Sequence, residues 1–236
     1  MHHIILSVFL FFIVQTGFSQ NNAADLLKAG NEKQVAHEYK QAINDFSAAI
    51  KLDPKNPEAY YFRANAYSEL KENKKAIDDY TECLQLNPKH INSLYNRGNT
   101  FYEIEEFEKA ITDFSEVLNL DSTFYDAYFD RGNTYYKTGK FEKAIRDISK
   151  GLLLNPNNAD GYYDRANAKF QLNGYNESLV DYTKAIELKP DQNDYYFNRA
   201  IAEFNLEMTS DGCKDLQKAK DLGDTEAKDY LKEFCQ

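Results

Sequence analysis

Residues 57–90 read PEAYYFRANAYSELKENKKAIDDYTECLQLNPKH, and variants of this 34-residue stretch run through most of the chain. Tyr60, Arg63, Ala64 and Tyr67 fall at i, i+3, i+4 and i+7, and Ala76, Tyr80 and Cys83 repeat that helical spacing further on. Such spacing puts the named residues on one face of each of two amphipathic helices. Pro88 follows the second helix; it lacks an amide proton and blocks further winding, so it closes the unit.

Counting 34 slots from Ala23, Pro57, Ile91, Tyr125, Ala159 and Asn193 gives six copies in register. Slot eight holds Gly30, Ala64, Gly98, Gly132, Ala166 and Ala200, and slot 20 holds Ala42, Ala76, Ala110, Ala144, Ser178 and Gly212. Small residues at both places let two helices cross closely. Polar or glycine breaks such as Thr138-Gly139-Lys140 and Asn173-Gly174 separate the helices of a unit. Slot 32 is Pro54, Pro88, Pro156 and Pro190, with Ser122 in the third unit, where a softer stop is expected. A fixed period of this length implies one supersecondary unit stacked on copies of itself, none able to bury its apolar face alone.

The pattern of an aromatic or leucine at slot four, small at eight, aromatic at 11, alanine at 20, aromatic at 24, alanine at 27 and proline at 32 resembles the tetratricopeptide repeat family. Lys33, Lys169 and Glu203 depart from it at slot 11, and Gly212 at slot 20. The resemblance implies an all-α fold, a right-handed α-solenoid of six helix-turn-helix repeats with a C-terminal capping helix. The repeats are expected at 23–56, 57–90, 91–124, 125–158, 159–192 and 193–224, and the cap at 225–236. Within the cap, Ala227, Tyr230, Leu231 and Phe234 recur on one helical face. A turn near Gly223 would return this helix antiparallel and bring Cys235 beside Cys213, so a disulfide is expected there; Cys83 reads as an inert buried thiol.

Charge supplies a second regularity. Asp45, Asp79, Asp113, Asp147, Asp181 and Asp215 hold slot 23, whereas arginine holds slot seven in five units only: Arg63, Arg97, Arg131, Arg165 and Arg199, with Ala29 in the first. The missing first arginine suggests pairing across unit boundaries, as Asp45–Arg63, Asp79–Arg97, Asp113–Arg131, Asp147–Arg165 and Asp181–Arg199.

The resemblance also implies that the first helices line a concave side that takes an extended peptide or a partner helix. Slots five, nine and 12 share an arc of that helix. They supply a partner-binding groove of Tyr61, Asn65, Tyr95, Asn99, Tyr102, Phe129, Asn133, Tyr136, Tyr163, Asn167 and Phe170, with Leu27, Asn31, Phe197 and Phe204 at the ends. Slot nine is asparagine in the first five units and fails only at Ile201. A row of amides can clamp a peptide backbone without reading its sequence, or it can bond the neighbouring helix and set unit spacing. The flanking rings offer apolar area at low entropy cost. Slots two and six carry Glu58, Asp126, Asp130, Asp160, Asp164 and Asp194 against Lys28 alone. Co-chaperone members of the family grip carboxylate-ended peptides through groove cations that this chain lacks, so a neutral or cationic segment fits better.

Other classes fare poorly. The 236-residue chain has a formal net charge of −10, which argues against nucleic acid. Its aromatic content of 14% suits a sizeable core. His37 and His90 lie near expected bends without ligand-spaced neighbours, and Asp78-Asp79 and Glu105-Glu106 read as solvated faces. No catalytic residue, cofactor or metal is expected. Ile4 to Val14 is apolar but for Ser7 and leads into Gly17-Phe18-Ser19-Gln20, which reads as a signal peptide over 1–19, cut after Ser19. The reading is thus an exported, non-enzymatic scaffold for a protein or peptide, with no membrane insertion after cleavage; the alternative is a glycan or envelope-polymer binding module.

Overall fold

The computed structural model describes residues 22–235, among which there are thirteen helices and no strand. The apolar segment at 4–14 and the cut expected after Ser19 lie outside the described residues. The first helices of the units are α1 (Ala23–Val35), α3 (Pro57–Glu69), α5 (Ile91–Glu103), α7 (Tyr125–Lys137), α9 (Ala159–Gln171) and α11 (Asn193–Asn205). The second helices are α2 (Tyr39–Leu52), α4 (Asn73–Leu86), α6 (Phe107–Leu120), α8 (Phe141–Leu154), α10 (Tyr175–Leu188) and α12 (Thr209–Asp221). Helix α13 (Ala227–Phe234) closes the stack against α12.

Within a unit the chain reverses through slot 15, which takes the left-handed conformation in every unit: His37, Lys71, Glu105, Gly139, Asn173 and Glu207. Only the fourth unit uses glycine there, so the other five bear a steric cost that the flanking helices must impose. Across the turn, slot eight meets the slot-24 side chain. A Cβ on Gly98 would stand 2.8 Å from the Phe114 ring, so a bare backbone is what allows that ring its place.

Between units, four-residue links carry the chain on. Asn56 and Asn158 cap α3 and α9 through their side chains, and the His90 Nδ1 accepts the Ser93 N–H at the start of α5. The softer stop expected at Ser122 does not appear: α6 ends at the same slot as α2, α4, α8 and α10. Asp121 Oδ1 accepts both the Thr123 N–H at 2.8 Å and its hydroxyl at 2.6 Å, closing the turn without proline.

Each slot-seven arginine pairs with the aspartate of its own unit, which corrects the direction expected from the sequence. Arg131 donates from Nε and Nη2 to the two Asp147 oxygens, at 2.6 and 3.0 Å, and Arg63, Arg97, Arg165 and Arg199 do the same to Asp79, Asp113, Asp181 and Asp215. The reason lies in the hairpin: slots seven and 23 stand eight residues either side of the slot-15 turn and so face each other. The unit boundary is crossed by the remaining nitrogen, Nη1, which donates to a slot-25 hydroxyl of the preceding unit: Ser47, Thr81, Ser115, Ser149 and Thr183 in turn. The first unit has no such predecessor, and there Lys33 reaches Asp45 at 2.5 Å instead.

At the C-terminal end the structure joins Cys213 to Cys235, with their Cα atoms 5.7 Å apart, and Gly223 turns the chain with φ of 100°. The bond fastens α13 over Leu216, Ala219 and Phe204. Cys83 is buried, and burial pushes its thiol pKa up.

Because Asp147 is buried, removing its partner strands a charge. Arg131→Ala is expected to lower unfolding free energy by about 3–5 kcal/mol and Ser115→Ala by about 1 kcal/mol, measured by urea denaturation. Equal small losses for both would contradict the buried pairing.

Candidate functional site

First helices of successive units touch one another, α1 to α3 through α9 to α11, whereas second helices make no comparable contact. The stack is therefore shorter on the first-helix side and bends toward it, and slots two, five, six, nine and 12 face the trough so formed.

The structure brings the expected groove residues onto this side as half-buried groups, with one exception. Phe129 is only 7% exposed, its ring pressed on Gly151 of its own unit and Gly161 of the next. It is core rather than groove, because glycines at those two places leave room for this ring, which packs there beside Leu152. Tyr61, Tyr95 and Tyr163 pack against Tyr80, Phe114 and Tyr182 of their own units, and the Tyr95 and Tyr163 hydroxyls reach slot six of the next unit, at Asp130 and Asn198.

Those hydroxyls and the asparagine row knit neighbouring units together through slot six. Asn65 Oδ1 accepts from Asn96 Nδ2 at 2.9 Å and from the Tyr80 hydroxyl at 2.6 Å. Asn133 Nδ2 donates to Asp164 at 2.9 Å, and the Tyr95 hydroxyl donates to Asp130 at 2.6 Å. Asn167 Oδ1 accepts from Tyr182 at 2.6 Å, and Asn198 Nδ2 donates to the Tyr163 hydroxyl. Of the two uses open to the amides, the seam between units is therefore occupied for Asn65 and Asn133, whereas Asn167 bonds Tyr182 of its own unit. Tyr102, Tyr136 and Phe170 stand at the rim; Tyr136 and Phe170 meet Phe141 and Tyr175 edge-on.

Slot six is the position whose bonding the sequence did not disclose. Asp130 and Asp164 sit on the trough floor, where burial, the largest influence, pushes each carboxyl up to about 6; for Asp164 the neighbouring Asp160, Asp130 and Asp194 add to it. Burial likewise lifts the Tyr163 phenol to about 12 and raises Tyr95 and Tyr102. Asp160 is engaged by Lys189 at 2.7 Å and by the Tyr195 hydroxyl. Three hollows open along the trough. One of 330 Å³ lies between α1, α3 and α5, a small one of 90 Å³ lies beside Asp130, and one of 270 Å³ lies between α7, α9 and α11. Among the described residues no group of His, Cys, Asp and Glu is placed to hold a metal ion.

Family models for the tetratricopeptide repeat match residues 37–71, 98–139 and 166–206 in one form, and 57–90 and 125–158 in another. The chain belongs to the tetratricopeptide repeat family. No curated protein matches it in sequence. Among solved structures it is similar to YrrB, described as a tetratricopeptide repeat protein with an unusual peptide-binding site. The TM-score is 0.71 and the identity 21%, with 80% of this chain and 97% of that one covered. It is also similar to MamA, with a TM-score of 0.68, 22% identity and coverages of 73% and 94%. A tetratricopeptide repeat protein from Parabacteroides merdae ATCC 43184 gives 0.63 at 22% identity, with coverages of 93% and 86%. At these identities the likeness is one of fold. The tetratricopeptide fold is an interaction scaffold, and proteins or peptides are its partners.

The raised carboxyls make the trough sensitive to pH. The folded state holds the protons of Asp130 and Asp164 more tightly than the unfolded chain, whose carboxyls titrate near 3.8. Their contribution to stability is thus fully present below 3.8 and is lost as pH rises to about 6. Asp130→Asn with Asp164→Asn should remove this fall, so urea-unfolding free energies of wild type and variant diverge between pH 4 and 7. Parallel profiles would contradict the burial of these groups.

Proposed function

We propose that this protein is an exported, non-enzymatic scaffold that holds an extended neutral or cationic segment of a partner protein in its trough. The observation that carries this reading is the charge of the inner face. Asp126, Asp130, Asp164 and Asp194 point there from three successive units, and the inner slots of the second to sixth units hold no lysine or arginine. The guanidinium groups are turned away from it, onto the slot-23 aspartates. A peptide ending in a carboxylate finds no counter-charge on the inner slots of these five units, whereas a basic segment does. Rings and amide groups between the carboxylates supply contact area and backbone hydrogen bonds.

Export rests on the apolar run from Ile4 to Val14 and on the Cys213–Cys235 bond, which persists in oxidising surroundings. Amino-terminal sequencing of the mature protein from its producing cell should begin at Gln20; a chain starting at Met1 would oppose cleavage.

A second reading has one observation in its favour. Tyr136, Tyr163, Phe170 and Tyr182 surround the 270 Å³ hollow together with Asn167 and Asn198, and ring faces beside amides also suit a sugar. Salt separates the two. Binding of a fluorescein-labelled, amidated lysine-containing peptide should weaken by about tenfold from 50 to 300 mM NaCl, because exposed charges are screened over that range. Binding of a neutral oligosaccharide in place of the peptide, unchanged by salt, would replace the peptide reading with the glycan one.

A further inference from the structure

The two large hollows of the trough differ in chemistry. The 330 Å³ hollow near the amino-terminal end is walled by Gln34, Asn65, Glu69, Asn96, Asn99 and Glu103, with no cation among its lining residues. Gln34 Oε1, on its wall, is shut off from solvent and has no hydrogen-bond partner among the described residues. Lys71 meets Glu103 at 3.0 Å on the exposed rim, and two carboxylates against that one cation leave the hollow negative. The 270 Å³ hollow toward the carboxyl end is walled by the rings of Tyr136, Tyr163, Phe170 and Tyr182 and by Ile201. Of its amides, Asn167 accepts from Tyr182 through Oδ1 and Asn198 donates to Tyr163 through Nδ2, and Gln171 completes the wall. Four rings and one aliphatic side chain are the apolar surface it offers a ligand, and neither a carboxylate nor a cation lines it.

The repeat register shows this polarity as well. Slot 12 passes from Gln34 and Ser68 to Tyr102, Tyr136, Phe170 and Phe204, and slot 13 passes from Glu69 and Glu103 to Lys137, Gln171 and Asn205. Slot nine abandons asparagine only at Ile201, which is a wall of the second hollow. Packing between units calls for no such gradient, since the same helix pair recurs throughout.

We infer that the trough selects its partner by two unlike side chains. One lysine or arginine seats its head in the hollow between α1, α3 and α5, and one leucine or phenylalanine enters the hollow between α7, α9 and α11. This deepens the scaffold reading and rests on it. The hollows centre on α3 and α9, about three units apart, roughly 30 Å at the usual spacing of packed helices, which an extended chain covers in about nine residues. The basic and apolar residues of the partner segment therefore sit that far apart in sequence, with the carboxylates of Asp126 and Asp130 lying between the two anchors.

The test uses the mature chain and fluorescence anisotropy with twelve-residue acetylated, amidated peptides on a glycine-serine background. One peptide carries lysine and phenylalanine about nine residues apart, one carries them adjacent, and two carry either residue alone. The spaced peptide should bind about tenfold tighter than each of the others. Glu69→Gln with Glu103→Gln should erase the preference for lysine and leave that for phenylalanine. Ile201→Asn, which restores the residue of the row, should do the reverse. Circular dichroism confirms that both variants fold. Peptide binding that ignores spacing, or that both variants weaken alike, overturns the two-subsite inference while the scaffold reading survives. Failure of the whole set to bind overturns both.

Discussion

The close crossing of the two helices in each unit is the constraint on which the rest of the structure depends. Slot eight carries a methyl or nothing, and the slot-24 side chain lies directly on it, as Phe46 does on Gly30 and Ile148 on Gly132. That approach puts slots seven and 23 within bonding distance, so the Arg–Asp fork is a consequence of the crossing rather than its cause. The fork in turn aims its third donor at the preceding unit. One short-range packing rule, repeated six times, thus fixes the hairpin, orients a buried charge pair and links each hairpin to the last. A larger residue at slot eight would upset all three together.

Curvature and function follow from the same arrangement. The first helices approach one another and crowd the inner side, where side chains of neighbouring units meet. Tyrosines and asparagines there satisfy each other across the boundaries, which leaves their ring edges and the remaining carboxylates to face a ligand. Stability and recognition therefore share residues. Asp164 holds Asn133 and also supplies trough charge, so a partner that neutralises it acts on a group already raised toward neutral by burial.

The helix pairs, their order and the C-terminal cap were legible because hydrophobic spacing and period are properties of sequence alone. The direction of the ion pairs was not read correctly. The absence of an arginine at Ala29 fits either direction, and the deciding series lay elsewhere: hydroxyls at Ser47, Thr81, Ser115, Ser149 and Thr183, giving way to Gln217 where no arginine follows. The stop at Ser122 was misjudged because proline was counted and the Asp121 turn was not. In the trough, the asparagine row stood out as a series, but its partners at slot six did not, since distances across a unit boundary are not encoded in the period. Phe129 looked like its slot-five neighbours, and only the glycines at 151 and 161 betray the pocket that buries it.

The central claim is that the inner face of the first helices is the working surface. Hydrogen exchange followed by mass spectrometry, with and without a saturating lysine- and phenylalanine-containing peptide, tests it most directly. Protection should concentrate in α3, α5, α7 and α9 and in the side of α11 that carries Ile201. Protection confined to the second helices α4, α6, α8 and α10 would place the partner on the outer face and contradict the account.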